Sequence, residues 1–163
     1  MKQSTILFIL ASLLLWTGCE KEIANDDAKE QENTIQPTVI DESQLENALT
    51  VSQAMAAAEG AFICVKGYVV ASTQRSMNNI DFEAPFSGSS AIVLADQKAE
   101  VGTGLNSEIL MPVCLTDCSK SIRAALNLVD NPKNHNHLIY IYGVRQTYLS
   151  RPGLKEVMDY DIE

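Results

Sequence analysis

The chain has 163 residues and a formal net charge of −9, with 46% hydrophobic and 20% charged residues. The acidic excess is uneven: residues 19–48 contain 9 acidic and 2 basic residues, whereas residues 49–163 contain 12 acidic and 9 basic residues. The second region is long enough for one small domain with its own core, but not for several. Its composition also lacks the strongly basic surface that is typical of nucleic-acid-binding domains.

The N-terminus has the features of a secretory signal peptide, which we assign to residues 1–18. Lys2 supplies the positive start, residues 6–15 form a short apolar run, and Thr17 and Gly18 are small residues at a cleavage site. The apolar run is much shorter than the roughly 20 residues that a membrane-spanning helix needs. The pattern therefore predicts export and removal of this segment.

Cys19 follows the small residues directly, and the run that ends there resembles the bacterial lipobox, although Trp16 stands where leucine is usual. The resemblance implies a lipid-modified N-terminal cysteine; a cleaved, soluble form is the alternative. The acidic residues between positions 20 and 27 resemble the tract that directs Bacteroides-type lipoproteins to the cell surface. This implies an outer-membrane, surface-exposed location. Because residues 19–48 are acidic and poor in aromatic residues, we predict that they form a flexible tether.

Two helices are predicted in residues 49–163. Thr50 and Gln53 form a capping-box pattern for the first helix, with Gly60 as its end. Ser119 or Ser121 caps the second helix, which Pro132 ends. One side of this second helix carries apolar residues at helical spacing: Ile122, Ala125, Leu126 and Val129.

Five strands are predicted, each rich in β-branched or aromatic residues: 62–71, 90–96, 108–115, 137–148 and 154–162. Residues 72–89 read as a long polar loop, and residues 102–104 lie in a loop between the second and third strands. Pro152 followed by Gly153 predicts a type II turn between the last two strands, since glycine favours the positive φ of that turn.

This order of elements predicts a mainly β fold: a five-stranded OB-fold-like Greek-key barrel with one helix before strand 1 and another between strands 3 and 4. An α+β sandwich built from the same elements is the alternative. Four sequence motifs, in this order and spacing, resemble an uncharacterised OB-fold-like domain family of Bacteroides-type lipoproteins. The motifs are residues 65–70, 92–96, 122–132 and 148–155. The resemblance covers residues 49–163 and implies the fold, but no established activity.

The OB-fold prediction places a ligand surface beside two loops, the one between strands 1 and 2 and the one between strands 4 and 5. Here these loops carry cationic and aromatic side chains that suit an anionic or sugar-like ligand: Arg75, Phe82, Phe86, Tyr148, Arg151 and Lys155. The alternative is that Phe82 and Phe86 fold the first loop back onto the barrel.

A second set of candidate binding residues consists of tyrosines that alternate along strands 1 and 4, namely Tyr68, Tyr140 and Tyr142. These strands are neighbours in an OB-fold barrel, so exposed rings there would stack on bases or sugar rings. Tyrosines are also good cross-strand packing residues, which is the alternative.

No catalytic or metal-binding pattern is present in the sequence, so we predict no enzymatic activity, no cofactor and no metal. His135 and His137 read as solvated loop residues, and no four-ligand zinc pattern includes them. Cys114 and Cys118 are close enough in sequence to form a disulfide, but the favoured interpretation is that they are buried thiols.

The combined prediction is a non-enzymatic, lipid-anchored binding module of the cell envelope. It consists of a signal peptide (1–18), an acidic tether (19–48) and an OB-fold-like domain (49–163). The membrane is the partner of the lipid, and a glycan or an envelope protein is the favoured ligand. A nucleic-acid-binding accessory lipoprotein is the alternative.

Overall fold

The computed structural model describes residues 40–100 and 109–163. The predicted signal peptide, Cys19, most of the predicted tether and the predicted loop at residues 102–104 lie outside these described residues. No helix within the described ranges is long and apolar enough to span a membrane.

The described residues form a mainly β domain with three α-helices and seven strands. The helices are α1 (Glu42–Glu46), α2 (Val51–Ala56) and α3 (Lys120–Leu126). The strands are β1 (Leu49–Thr50), β2 (Phe62–Gln74), β3 (Ser76–Asp81), β4 (Ala91–Ala95), β5 (Met111–Cys114), β6 (Leu138–Tyr148) and β7 (Arg151–Ile162).

The seven strands form one mixed sheet with the order β1-β2-β4-β5-β7-β6, and β3 pairs with β2. The long strand β2 pairs antiparallel with both β4 and β6. Strands β5 and β7 run parallel, through Val113 and Leu154, and β6 and β7 form a long antiparallel hairpin. The parallel pair is possible because α3 and β6 separate its strands in sequence.

The inward faces of these strands share one apolar core. Val65, Ile139 and Ile141 are fully buried, and they alternate with more exposed residues, as expected for strands with one buried face. Helix α2 covers part of this core with Val51 and Ala54. Its capping box at Thr50 and Gln53 is confirmed.

Gly67 and Asp96 position α2 on the sheet. A Cβ atom at Gly67 would lie 2.6 Å from Val51 Cγ2, so glycine permits a closer approach of the helix than any other residue would. The Asp96 carboxylate accepts hydrogen bonds from the Val51 and Ser52 backbone N–H groups at 2.6 and 3.1 Å. It thereby satisfies donors at the start of the helix that have no partner within it.

The prediction of five strands is wrong because β1 and β3 were not recognised. Strand β3 lies in residues 72–89, which we predicted as a loop, and β2 extends three residues beyond its predicted end. Thr73 is fully buried, and its hydroxyl lies 2.6 and 2.8 Å from the carbonyl oxygens of Ser76 and Asn79. These side-chain hydrogen bonds hold a polar hairpin that has no apolar periodicity.

The second predicted helix ends earlier than expected, at Leu126 rather than before Pro132. Asn127 ends it by accepting a hydrogen bond from the Asp130 backbone at 2.9 Å, which forms a turn. Val129 therefore leaves the apolar side of the helix and is 44% exposed. Of the two predicted caps, Ser119 is the one that accepts from the Ile122 N–H.

Helix α1 lies in the segment that we assigned to the tether. It begins at a capping box formed by Asp41 and Gln44. Just before it, the Ile40 backbone donates a hydrogen bond to the Asp159 carboxylate at 2.5 Å. Residues 40–48 therefore contact the sheet, and α1 is a helix that the sequence prediction did not include.

Candidate functional site

A cleft of about 530 Å³ lies between the β2–β3 hairpin and the β6–β7 turn, and we call it the hairpin cleft. The hairpin contributes polar and apolar groups to one wall, the turn forms the other, and α2 adds one methionine. The lining residues are Met55, Ser76, Met77, Asn78, Leu149, Ser150, Arg151 and Pro152. The wall thus combines thioether and aliphatic surface with hydroxyl, amide and guanidinium groups, a mixture that is typical of small-ligand sites.

The turn beside this cleft differs from the prediction. Tyr148 pairs with Arg151, and the two residues between them, Leu149 and Ser150, have φ values of +50° and +64°. Two central residues with positive φ are characteristic of a type I′ hairpin. The predicted type II turn at Pro152 is wrong because that residue pairs with Thr147 inside β7.

Gly153 has a different role from the predicted one. A Cβ atom there would lie 2.8 Å from the Pro112 carbonyl oxygen and 2.9 Å from Tyr148 Cβ. The glycine therefore allows β7 to pass close to β5 rather than forming a turn.

Of the six loop residues predicted to bind ligand, Arg151 is in the lining of the hairpin cleft. Arg75 is exposed at the tip of the β2–β3 hairpin, where it has a φ of +64°. Phe86 is 9% exposed and belongs to the main core, with its ring centroid 5.3 Å from that of His135. Phe82 is half-buried against a second apolar cluster. The two phenylalanines therefore pack against the domain, as the alternative interpretation predicted.

The remaining two loop residues make contacts within the domain. Burial, together with a hydrogen bond to the Cys114 side chain, raises the pKa of Tyr148, so its hydroxyl stays protonated. Lys155 forms an ion pair with Asp117 at 3.7 Å. Neither residue is among those that line the hairpin cleft.

The three predicted tyrosines lie on another surface, the outer face of β2 and β6, which we call the tyrosine face. Tyr140 is directly opposite Lys66, Tyr142 is opposite Cys64, and Tyr68 is opposite Leu138. Directly opposed residues point to the same side of a sheet. Because the alternate residues of both strands are buried in the core, the tyrosines point outward.

Phe62, which the sequence analysis did not single out, completes this surface. It is 60% exposed, and its ring is stacked on Tyr142 with centroids 6.5 Å apart and an interplanar angle of 29°. The Lys98 ammonium group lies 5.4 Å from the centroid of the Tyr68 ring. The Tyr140 hydroxyl donates a hydrogen bond to Glu163 at 3.1 Å, and its pKa is raised by burial and by this hydrogen bond.

Both histidines are engaged with backbone carbonyl groups. His135 Nε2 donates to Val70 O at 3.0 Å and is half-buried, so the prediction of a solvated residue is wrong for this histidine. His137 is exposed, and its Nδ1 donates to Glu163 O at 3.0 Å. Among the described residues, no group of three or more His, Cys, Asp or Glu side chains is arranged to hold a metal ion.

The three described cysteines are free thiols: Cys64, Cys114 and Cys118. Cys114 is buried with its sulfur 3.2 Å from the Thr116 hydroxyl, and the Cys118 thiol donates to the Leu115 carbonyl at 3.4 Å. Burial, and to a smaller extent the Asp159 carboxylate, raises the pKa of Cys64 to about 11. This thiol is therefore protonated at neutral pH and is a poor nucleophile.

Several residues of the hairpin cleft could not be identified from the sequence. Met55 and Met77 are ordinary apolar residues in their local sequence, and they meet only because α2 and β3 converge in the fold. Leu149 and Ser150 lack the glycine or asparagine that usually marks a type I′ turn. Phe62 did carry a signal, since it alternates with the outward-facing Cys64, Lys66 and Tyr68 along β2.

The described residues thus form a mainly β domain with a cleft and an aromatic outer face. The chain belongs to the family described as "Domain of unknown function (DUF6359)", whose model matches residues 49–163. The predicted membership in a domain family of unknown function is confirmed. No curated protein and no solved structure matches the chain.

Proposed function

We propose that this protein is a lipid-anchored, non-enzymatic binding protein of the cell envelope, and that its domain is an OB-fold barrel. The observation that carries the proposal is the hairpin cleft, which lies between the two loops that form the ligand surface of OB-folds. A glycan or an envelope protein is the favoured ligand.

The strand pairing supports the barrel. Strand β2 pairs with both β4 and β6, and the path from β4 through β5 and β7 leads back to β6. Five strands joined in this way are what a closed barrel requires, since no strand among them keeps a free edge. Helix α3 lies between β5 and β6, the third and fourth of these five strands in chain order, which also supports the barrel.

The composition of the hairpin cleft supports a polar, uncharged or weakly anionic ligand. Asn78 and Ser150 offer neutral hydrogen-bonding groups, Arg151 offers a cation, and Met77 and Leu149 offer apolar surface. A single arginine provides little positive charge for a polyanion, because proteins that bind polyanions normally contact them with several lysines and arginines. The cleft therefore favours a glycan or a protein segment over nucleic acid.

Binding in the hairpin cleft is tested with Asn78→Trp, which places a large ring at an exposed position in the cleft wall. We expect at least a tenfold loss of affinity for an envelope oligosaccharide or a purified envelope protein in calorimetric titrations. Lys133→Trp is the matched control, since Lys133 is exposed on the short helix Pro132–Asn134. Equal affinities for both variants would contradict binding in the cleft.

Single-stranded DNA is titrated in the same way at low and high salt. Tight binding at low salt that weakens steeply with added salt would support the nucleic-acid alternative instead. Absence of binding at low salt would contradict that alternative.

The lipid anchor rests on the sequence pattern at Cys19. Three acyl chains on one residue would give effectively permanent membrane attachment, at about 0.8 kcal/mol for each buried methylene. We expect the wild-type protein to incorporate a labelled palmitate analogue in cells and to sediment with membranes, whereas Cys19→Ala incorporates none. Equal labelling of both proteins would contradict lipidation at this residue.

A further inference from the structure

The tyrosine face carries three shallow clefts that follow one another along β2 and β6. The first, of about 420 Å³, lies between α1 and the rings of Phe62 and Tyr142. The second, of about 440 Å³, is lined by Lys66 and Tyr140, and the third, of about 290 Å³, by Tyr68 and residues at the start of β6. The second and third clefts share Tyr68 and Leu138 in their linings, so they are neighbours on this face.

This row of clefts has the dimensions of a site for an extended ligand. From Phe62 to Tyr68 the strand rises about 20 Å, at about 3.3 Å per residue. Outward-facing residues follow one another every second position, or about 6.6 Å. Aromatic rings therefore occur at regular intervals along a path long enough for several sugar rings in line.

The rings are held in place by the domain itself. The Tyr140 hydroxyl donates to Glu163, the Tyr142 ring lies against Phe62, and the Tyr68 ring lies against the Lys98 ammonium group. Rings that are already ordered lose little side-chain entropy when a ligand stacks on them. The C–H face of a sugar ring packs on such a ring, while the sugar hydroxyl groups reach polar neighbours.

The charges that line the three clefts are balanced. The lining contains two carboxylates, Asp96 and Glu163, and two lysines, Lys66 and Lys98. Both carboxylates are already engaged, since Asp96 accepts from the start of α2 and Glu163 accepts from a tyrosine. Hydroxyl and amide groups and one imidazole ring complete the lining: Ser43, Gln44, Asn47, Thr50, Asn136 and His137.

The charges on the tyrosine face therefore favour an uncharged ligand over a polyanion or a polycation. A polyanion would meet only two lysines and, along the neighbouring strand, the acidic residues Asp159 and Asp161, which lie opposite Tyr142 and Tyr140. A polycation would meet two lysines among the rings, and three of the four carboxylates near them already accept hydrogen bonds within the domain, namely Asp96, Asp159 and Glu163. An uncharged chain of hydroxylated rings is repelled neither by the carboxylates nor by the lysines. Its hydroxyl groups find both hydrogen-bond donors and hydrogen-bond acceptors in the lining.

We propose that the tyrosine face is a second binding site, separate from the hairpin cleft, and that it takes a linear oligosaccharide without net charge. The site is built by β2, β6 and α1, with Phe62, Tyr142, Tyr140 and Tyr68 as stacking platforms. It does not depend on ligand binding in the hairpin cleft, which other strands and turns form.

The test uses the purified full chain in a detergent without a sugar headgroup. Linear hexasaccharides of glucose, mannose and N-acetylglucosamine, and the corresponding disaccharides, are titrated by calorimetry. We expect at least one hexasaccharide to bind at least tenfold more tightly than its disaccharide, because only the longer chain reaches successive rings. Absence of binding by all three hexasaccharides would overturn the proposal.

Two variants test the platforms. Phe62→Ala and Tyr142→Ala are each expected to weaken hexasaccharide binding about tenfold, the contribution of one stacked ring. Phe62 is the decisive position, because a side chain that is 60% exposed can be truncated without unfolding the domain. Unchanged affinity in Phe62→Ala would overturn the proposal.

Two controls distinguish this proposal from two alternatives, sugar binding in the hairpin cleft and binding of a charged polymer to the tyrosine face. Asn78→Trp, which fills the hairpin cleft, should leave hexasaccharide affinity unchanged, and a tenfold loss would assign the sugar to that cleft instead. Oligolysine and oligothymidine are titrated against the wild-type and Phe62→Ala proteins. If either polymer binds in a Phe62-dependent way while the hexasaccharides do not, the face serves a charged partner and the proposal is wrong.

Discussion

Gly67 provides the sharpest test of how α2 is seated on the sheet. In Gly67→Ala the new Cβ would lie 2.6 Å from Val51 Cγ2 and 3.1 Å from the Ala95 carbonyl oxygen. Carbon atoms in good contact are about 3.5–4.0 Å apart, so the helix or the strand must move by about 1 Å. Forcing an extra methyl group into a well-packed core costs about 1–3 kcal/mol, and we expect a loss of stability in this range.

A double-mutant cycle isolates the contact. Val51→Ala removes Cγ2 and Cγ1 from a fully buried side chain, which costs about 2 kcal/mol in lost burial and cavity formation. In that background the clash at Gly67 is relieved, and the nearest remaining atom is the carbonyl oxygen of Ala95. The double variant should therefore be about 1–2 kcal/mol more stable than the sum of the single losses predicts.

The assay is urea unfolding of the purified protein followed by circular dichroism, with the free energy of unfolding extrapolated to water. Gly60→Ala is the matched control: its Cβ would have no atom within 4 Å, but its φ is +85°. The loss of stability in Gly60→Ala therefore comes from backbone strain, and it should be the same with or without Val51→Ala. Losses for Gly67→Ala and Val51→Ala that add within about 0.5 kcal/mol would refute the proposed close approach.

Two further predictions concern the turn and a buried thiol. Ser150→Gly should raise the free energy of unfolding by about 0.5–1 kcal/mol in urea titrations, because Ser150 has a φ of +64° that glycine adopts without strain; a destabilised variant would argue against the type I′ turn. The pKa of Cys64 is raised from 9.0 to about 11, so above pH 9 the unfolded chain loses this proton before the folded one does. Stability should therefore fall between pH 9 and 11, and less steeply in Cys64→Ala; identical pH profiles in thermal unfolding would contradict the shift.

Part of the candidate site could be read from local sequence. The alternation along residues 62–68 and 138–142 was sufficient to place the tyrosines together on one outward face, because a strand repeats every two residues. Arg151 was correctly placed at the β6–β7 connection. Tyr148 was not recognised as a packing residue, and Phe86 was left open between ligand binding and packing, since the sequence does not show which side of a loop meets the domain.

The sequence by itself determined the mainly β character, the capping box of α2 and the approximate positions of β2, β4, β5, β6 and β7, which depend on interactions between residues close in the chain. The tertiary structure alone decided the rest. Strand β3 is held by the buried hydroxyl of Thr73, and the turn falls at Leu149 and Ser150 because the pairing of β6 with β7 sets its register. Met55 and Met77 share the hairpin cleft only because α2 and the β2–β3 hairpin converge on it. None of these contacts leaves a periodic pattern in the sequence, and so they emerge only when the chain has folded.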